Sequence, residues 1–494
     1  MTYGERHRPR VHFSPATNWM NDPNGLVYHD GDYHLFYQYN PLGNAWGHMS
    51  WGHAVSPDLV HWEHLPVAIP AHDASMIFSG SALVDTDNCS GLGTVEGAWP
   101  AAIYTAHTTD SATSHVIQTQ NLATSTDSGR SWHRFPGNPV LDIGSASFRD
   151  PQVFWHEPTG RWIMIVALSD ERKVRFLASR NLIDWHPLSD FGPLDVAGGI
   201  WECPLLIELP VNGSIDTQRW LLKVDINPGH PAGGSGAFYL VGDFDGVRFA
   251  PDPTFSSPQW VDFGADFYAA QHWSYAPSSD GERVWIGWMS NWAYASATPT
   301  SPWRGTLTLP RTIDLVMTGD GPRLRQRPLA ALECLRESEA HIAGGDLAQI
   351  NRVLAEARLG SEALELIVQV QTGPACDVGL RISTGQAGAV RIGYDSAREE
   401  LYLDRSMVMA SPFAAGFAAR HAAPLRLDEA TLRLHVFIDA SSVEVFAGDG
   451  TVVMTDLIFP DSNERAIDID AIGGEVAQVD LSVWTLRSIG SPHR

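Results

Sequence analysis

The chain has 494 residues, a formal net charge of −24 at pH 7, and 44% hydrophobic against 18% charged residues. That is about three times an ordinary domain, so two domains, or one large repetitive domain with a companion, are expected. The composition excludes a disordered or collagen-like chain, and the acidic balance repels phosphate backbones and anionic membranes, so neither nucleic acid nor membrane is an expected partner.

No stretch approaches the ~20 apolar residues of a membrane span, and the first ten residues lack the apolar core of a secretory signal. The expected compartment is the cytoplasm, the alternative being a secreted protein whose signal has been removed. Cys89, Cys203, Cys334 and Cys376 are widely scattered and match neither a disulfide framework nor a zinc-ligand spacing, so they read as free thiols.

From Asp22 onward the chain repeats itself. Each unit opens at a small or acidic residue, runs into an apolar strand, turns through Gly, Asp, Pro or Ser, and returns as an aromatic-rich strand. The openings are Asp22, Ser79, Asp150, Glu202 and Asp266, separated by 57, 71, 52 and 64 residues. About four strands per unit, five times over, predicts a five-bladed β-propeller whose innermost strands converge on a central channel. Asp22, Asp150 and Glu202 would then meet in space. Like charges held together push their pKa values apart, which is a catalytic arrangement.

Of the 18 tryptophans, 17 lie between Trp19 and Trp303, so the architecture changes soon afterwards. Residues 1–318 are assigned to the propeller and 319–344 to a linker with a short helix over Pro328 to Ala340. Residues 345–494, with alternating strands such as those at 432–439 and 442–446, are assigned to an antiparallel β-sandwich. The overall class is all-β. The sandwich could bind polysaccharide or mediate a homodimer, but packing against the propeller is the default.

Composition alone makes 21–25 (Asn-Asp-Pro-Asn-Gly) a turn. Trp19 and Met20 before it, with Gln38 and Trp46 after it, add aromatic and amide groups suited to a sugar. Arg149 beside Asp150 is expected to keep that carboxylate ionised. Glu202 lies between Trp201 and Cys203-Pro204, where an unpaired carboxylate is costly. Desolvation there would raise its pKa, as a general acid requires. The five histidines from His48 to His72 show no metal-ligand spacing, the glycines at 233–236 lack a phosphate-loop ending, and no G-x-S-x-G elbow occurs.

The segments 19–25 (WMNDPNG), 78–80 (FSG), 148–151 (FRDP) and 201–204 (WECP) resemble the signature motifs of glycoside hydrolase family 32, the invertase, inulinase and levanase family. The similarity runs nearly end to end, through 266–271, 285–292, 302–305 and 441–446. It implies a propeller followed by a sandwich. It further implies Asp22 as nucleophile, Glu202 as general acid and base, and Asp150 as transition-state stabiliser. Asn21, Gln38, Trp46, Phe78, Ser79, Arg149 and Trp288 match positions lining a terminal fructose pocket, and no metal or organic cofactor is implied. The resemblance implies a retaining exo-β-fructosidase acting on sucrose, fructooligosaccharides and fructans such as levan or inulin. The same residues would also serve a transfructosylating enzyme with a sugar acceptor.

Overall fold

The computed structural model describes residues 4–490, leaving aside 94–98, 111, 197, 256, 279, 357–362, 374–375, 386–387, 410, 462–465 and 475. The repeated aromatic strands pair as antiparallel sheets. Blade I comprises Asn18–His29, Asp32–Asn40, Ser50–Ser56 and Glu63–Ile69; blade II begins at Ser75–Asp85, blade III at Phe148–His156 and blade IV at Ile200–Val211. Blade V comprises Tyr268–His272, Arg283–Trp288, Arg311–Thr318 and Gly321–Pro328. The five opening strands are neighbours round the ring, and the ring closes where Trp303–Arg304 pairs in parallel with Asn18 and Trp19.

Fully buried tryptophans, among them Trp19, Trp51, Trp201, Trp273, Trp285, Trp288 and Trp303, fill the spaces within and between blades. Burying each large apolar side chain contributes about 1.5–3 kcal/mol or more. This accounts for the concentration of tryptophan in the first 303 residues.

The second domain packs a six-stranded sheet, which includes Leu364–Thr372, Thr431–Ile438 and Ser442–Ala447, on a five-stranded sheet that includes Ala389–Asp395 and Glu400–Met407. Their inward residues, such as Leu366, Val436, Ile392 and Leu403, form one core. The segment expected to be a linker is divided between the domains. Gly321–Pro328 pairs with Arg311–Thr318 as the outer strand of blade V, and Arg336–Gly345 pairs with Val476–Leu486 in the sandwich. Only a 3-10 turn, Ala330–Leu335, lies between, with Leu332 and Leu335 buried. The apolar spacing there was real, but the run is too short for an α-helix. The one α-helix among the described residues, Leu347–Glu356, lies in the sandwich and seats Ile350 and Leu354 in its core.

A buried charge network joins the domains. His12 bonds Asp439 at 2.6 Å and Glu444 at 2.8 Å, and Arg311 of blade V pairs with Glu444 at 2.6 Å. Arg405 of the sandwich pairs with Asp266 at 2.6 Å and Asp456 at 3.2 Å. Asp266, one of the five expected openings, is therefore turned to the domain interface and does not enter the channel. Backbone bonds from Phe263 to Val453 and from Asp266 to Thr455 extend the contact.

Candidate active site

Every opening strand carries a bulge at the same level of the ring. The register breaks between Met20 and Pro23, between Ile77 and Gly80, opposite Ile165 and Ala167 at Asp150-Pro151, between Glu202 and Leu205, and between Tyr268 and Gln271. An extra residue bends a strand and re-aims a side chain. The proline that follows the acid in three of these places explains why the bulge forms there. Proline has no N–H for a ladder bond and is tolerated only at bulges or edges. Ser79 is followed by Gly80, where a Cβ would meet the Ile103 carbonyl oxygen at 2.1 Å. Asp150 (φ 63°), Cys203 (φ 44°) and Ala269 (φ 54°) sit in the left-handed region. Such a conformation costs about 1–3 kcal/mol per residue and clusters at active sites.

The re-aimed side chains line a cavity of about 240 Å³ formed by Asn21, Asp22, Gln38, Trp46, Phe78, Ser79, Arg149, Asp150, Glu202, Asn227 and Trp292. Three carboxylates from three blades share it. Glu202 accepts from Arg149 Nε at 3.1 Å and from the Tyr268 hydroxyl at 2.6 Å. Asp150 accepts the Cys203 N–H at 3.0 Å, and its own N–H donates to Thr105 Oγ1 at 3.1 Å. The Cys203 sulfur lies 3.7 Å from Asp150 Oδ2 and 4.0 Å from Asp22 Oδ2. Asp22 Oδ1 and Gln38 Nε2 are buried with no protein partner.

Burial, then the Glu202 charge, pushes the Asp22 carboxyl up to about 8. Burial pushes Asp150 up to about 6, opposed by Arg149 and reinforced by Glu202. The Tyr268 phenol is held protonated well above its usual value by burial and then by Glu202. The cavity thus has one guanidinium for three carboxylates, and that cation touches Glu202. Arg149, expected to keep Asp150 ionised, does lower the Asp150 pKa through its charge, but burial outweighs it and the Arg149 hydrogen bond goes to Glu202. Glu202 is likewise not an unpaired carboxylate.

Nine expected residues meet in the cavity; Trp19, Met20 and Trp288 do not. Trp19 and Met20 are fully buried, the Trp19 indole N–H donating to Asn21 Oδ1 at 2.8 Å. Trp288 is also buried and packs behind Trp292, their ring centroids 4.9 Å apart. It is Trp292 that reaches the cavity, four residues further on in the same aromatic segment. Sequence reading also passed over Asn227 and Tyr268. Tyr268 lies two residues past the expected opening at Asp266, and only the blade V bulge reveals that it, and not the acid, faces the channel. Among the described residues no cluster of three or more His, Cys, Asp or Glu could hold a metal ion. The histidines at 48–72 include packing roles, His53 stacking on Phe36 and His64 lying against Phe13.

Two family profiles match the chain: the glycosyl hydrolases family 32 N-terminal domain over residues 12–328 and the family 32 C-terminal domain over 331–485. The chain is 42% identical to a levanase of Bacillus subtilis over 492 residues, covering 99% of this chain and 71% of that one. Its fold matches the exo-inulinase of Aspergillus awamori with a TM-score of 0.89 at 34% identity, covering 99% and 100% of the two chains. A β-fructofuranosidase of Schwanniomyces occidentalis, solved with fructosyl-erythritol, matches with a TM-score of 0.86 at 33% identity, over 99% of each chain. A five-bladed ring with three converging acids, joined to a sandwich, is thus found together with matches to both domains, and the chain belongs to glycosyl hydrolase family 32.

Proposed function

We propose that the protein is a retaining exo-β-fructosidase that releases terminal fructose from sucrose, fructooligosaccharides and β-fructans. The observation that carries this reading is the small cavity in which Asp22, Asp150 and Glu202 converge. At about 240 Å³ it falls below the roughly 300–1,000 Å³ of sites for drug-sized ligands, so it suits one terminal sugar unit and not a chain running through it. The names of the levanase, exo-inulinase and β-fructofuranosidase relatives support the substrate class.

Asp22 attacks the anomeric carbon while Glu202 protonates the departing oxygen, and water activated by Glu202 then releases fructose with retention. Asp150 accepts sugar hydroxyls as positive charge develops on the ring. In the free site burial and the Glu202 charge disfavour the Asp22 anion. A bound ring supplies hydroxyl donors to its unpartnered Oδ1, and donors favour the charged form. Substrate binding therefore favours the Asp22 anion that attacks. Product analysis on sucrose, inulin and levan tests the reading. Free fructose as the sole early product from both polymers is expected; a ladder of oligosaccharides, or acceptor-dependent chain growth, would replace it with an endo-acting or transferring enzyme.

A further inference from the structure

Glu202 and Tyr268 stand on different blades and bond to each other, and one buried ion pair braces the Glu202 bulge. Lys223 and Asp225, on Ser214–Asn227 of blade IV, are fully buried, with Nζ donating to Asp225 Oδ2 at 3.0 Å. The same ammonium donates to the Cys203 carbonyl at 2.8 Å. Both peptide groups of Cys203 are thereby fixed, its N–H by Asp150 and its carbonyl by Lys223. The pair thus braces the residue after Glu202, which is held in left-handed conformation, and Tyr268 bonds to Glu202 itself.

Lys223 is one of only two lysines in the chain, and neither it nor Asp225 lines the cavity. Apolar residues of similar volume often replace a buried ion pair with no loss of stability, so stability alone gives no reason for charge here. We propose that Lys223 and Asp225 are positioning residues that hold Glu202 and Tyr268 in proton-transfer geometry. This rests on the glycosidase reading of the site.

The test is the double variant Lys223→Met/Asp225→Leu. Its kcat/KM is measured on sucrose and on an aryl β-fructofuranoside whose leaving group departs without protonation. On sucrose kcat/KM falls about 10–100-fold, the range for loss of an outer-shell partner. On the aryl fructoside it falls less than about threefold, because general acid help is not needed there. An unchanged sucrose value, or an equal fall on both substrates, overturns the positioning role. Asp225→Asn, which keeps the bond from Lys223 to Cys203, carries the same ratio test should the double variant fail to fold. If the unaltered protein released fructose from no substrate, the hydrolase reading itself would fall instead.

Discussion

Arg149 Nε donates to Glu202 Oε1 at 3.1 Å, across the boundary between blades III and IV, while its sequence neighbour Asp150 is bound by the Cys203 N–H. The one cation of the cavity therefore serves the acid contributed by the next blade. Replacing it with an apolar residue of similar length, Arg149→Met, removes a charged hydrogen bond of about 1.5–3 kcal/mol. Turnover should fall about 10–100-fold. Because Arg149 also lowers the Asp150 pKa, the acid limb of the pH-rate profile should move upward, and a profile of unchanged shape would contradict this electrostatic role.

Asp22 illustrates a conflict between function and stability. Its folded pKa of about 8 lies above the ordinary 3.8, so the fold prefers the protonated form and loses stability as pH rises from about 4 through 8. Asp22→Asn mimics that form. It should abolish most turnover yet raise the melting temperature at pH 8 by about 2–4 °C, with no rise at pH 3.5. Calorimetry at the two pH values decides the matter.

The tryptophans of the site separate into contact and support. Trp46 is 44% exposed at the cavity, edge-on to Phe78, so Trp46→Ala should raise KM several-fold with little loss of stability. Trp288 is 1% exposed behind Trp292. Trp288→Ala leaves a core void costing about 3–5 kcal/mol, and a drop in melting temperature should accompany any kinetic change.

His12 governs the alkaline edge of stability. Burial opposes its charge, but the bonds to Asp439 and Glu444 prevail and raise its pKa to about 9. A raised folded value means a contribution fully present below about 6.5 and lost as pH climbs through about 9. Asp439 and Glu444 are both held below their usual values, so their share is lost instead as pH falls below the ordinary carboxylate range. His12→Ala should cost about 3–5 kcal/mol near pH 6 and flatten the decline in melting temperature between pH 7 and 9.5. An equal decline in the variant would place the alkaline transition elsewhere.

The architecture was legible because it is periodic: five small or acidic openings, each leading into an apolar strand, and a tryptophan-rich first region can be counted along the chain. The three acids were legible because each stands within two residues of a proline at the start of an apolar run. What escaped was decided by side-chain phase. Trp288 and Trp292 lie in one strand-end segment, and only packing against Trp19 and Tyr268 determines which one meets the cavity. Asp266 looked like the fifth opening because it is acidic and heads a strand, yet its partner Arg405 lies 139 residues away in the other domain. No local pattern announces a contact at that separation.

The bulges give the ring a further property. A regular strand alternates its faces with a period of two, so an inserted residue shifts the phase of everything beyond it. Each opening strand thus changes phase at its functional residue. Deleting Pro23, Pro151 or Pro204 would remove that bulge and turn over the residues beyond it, exchanging inward and outward side chains. A change of residue count within these strands would thus disturb the site far more than an exchange of residues in place.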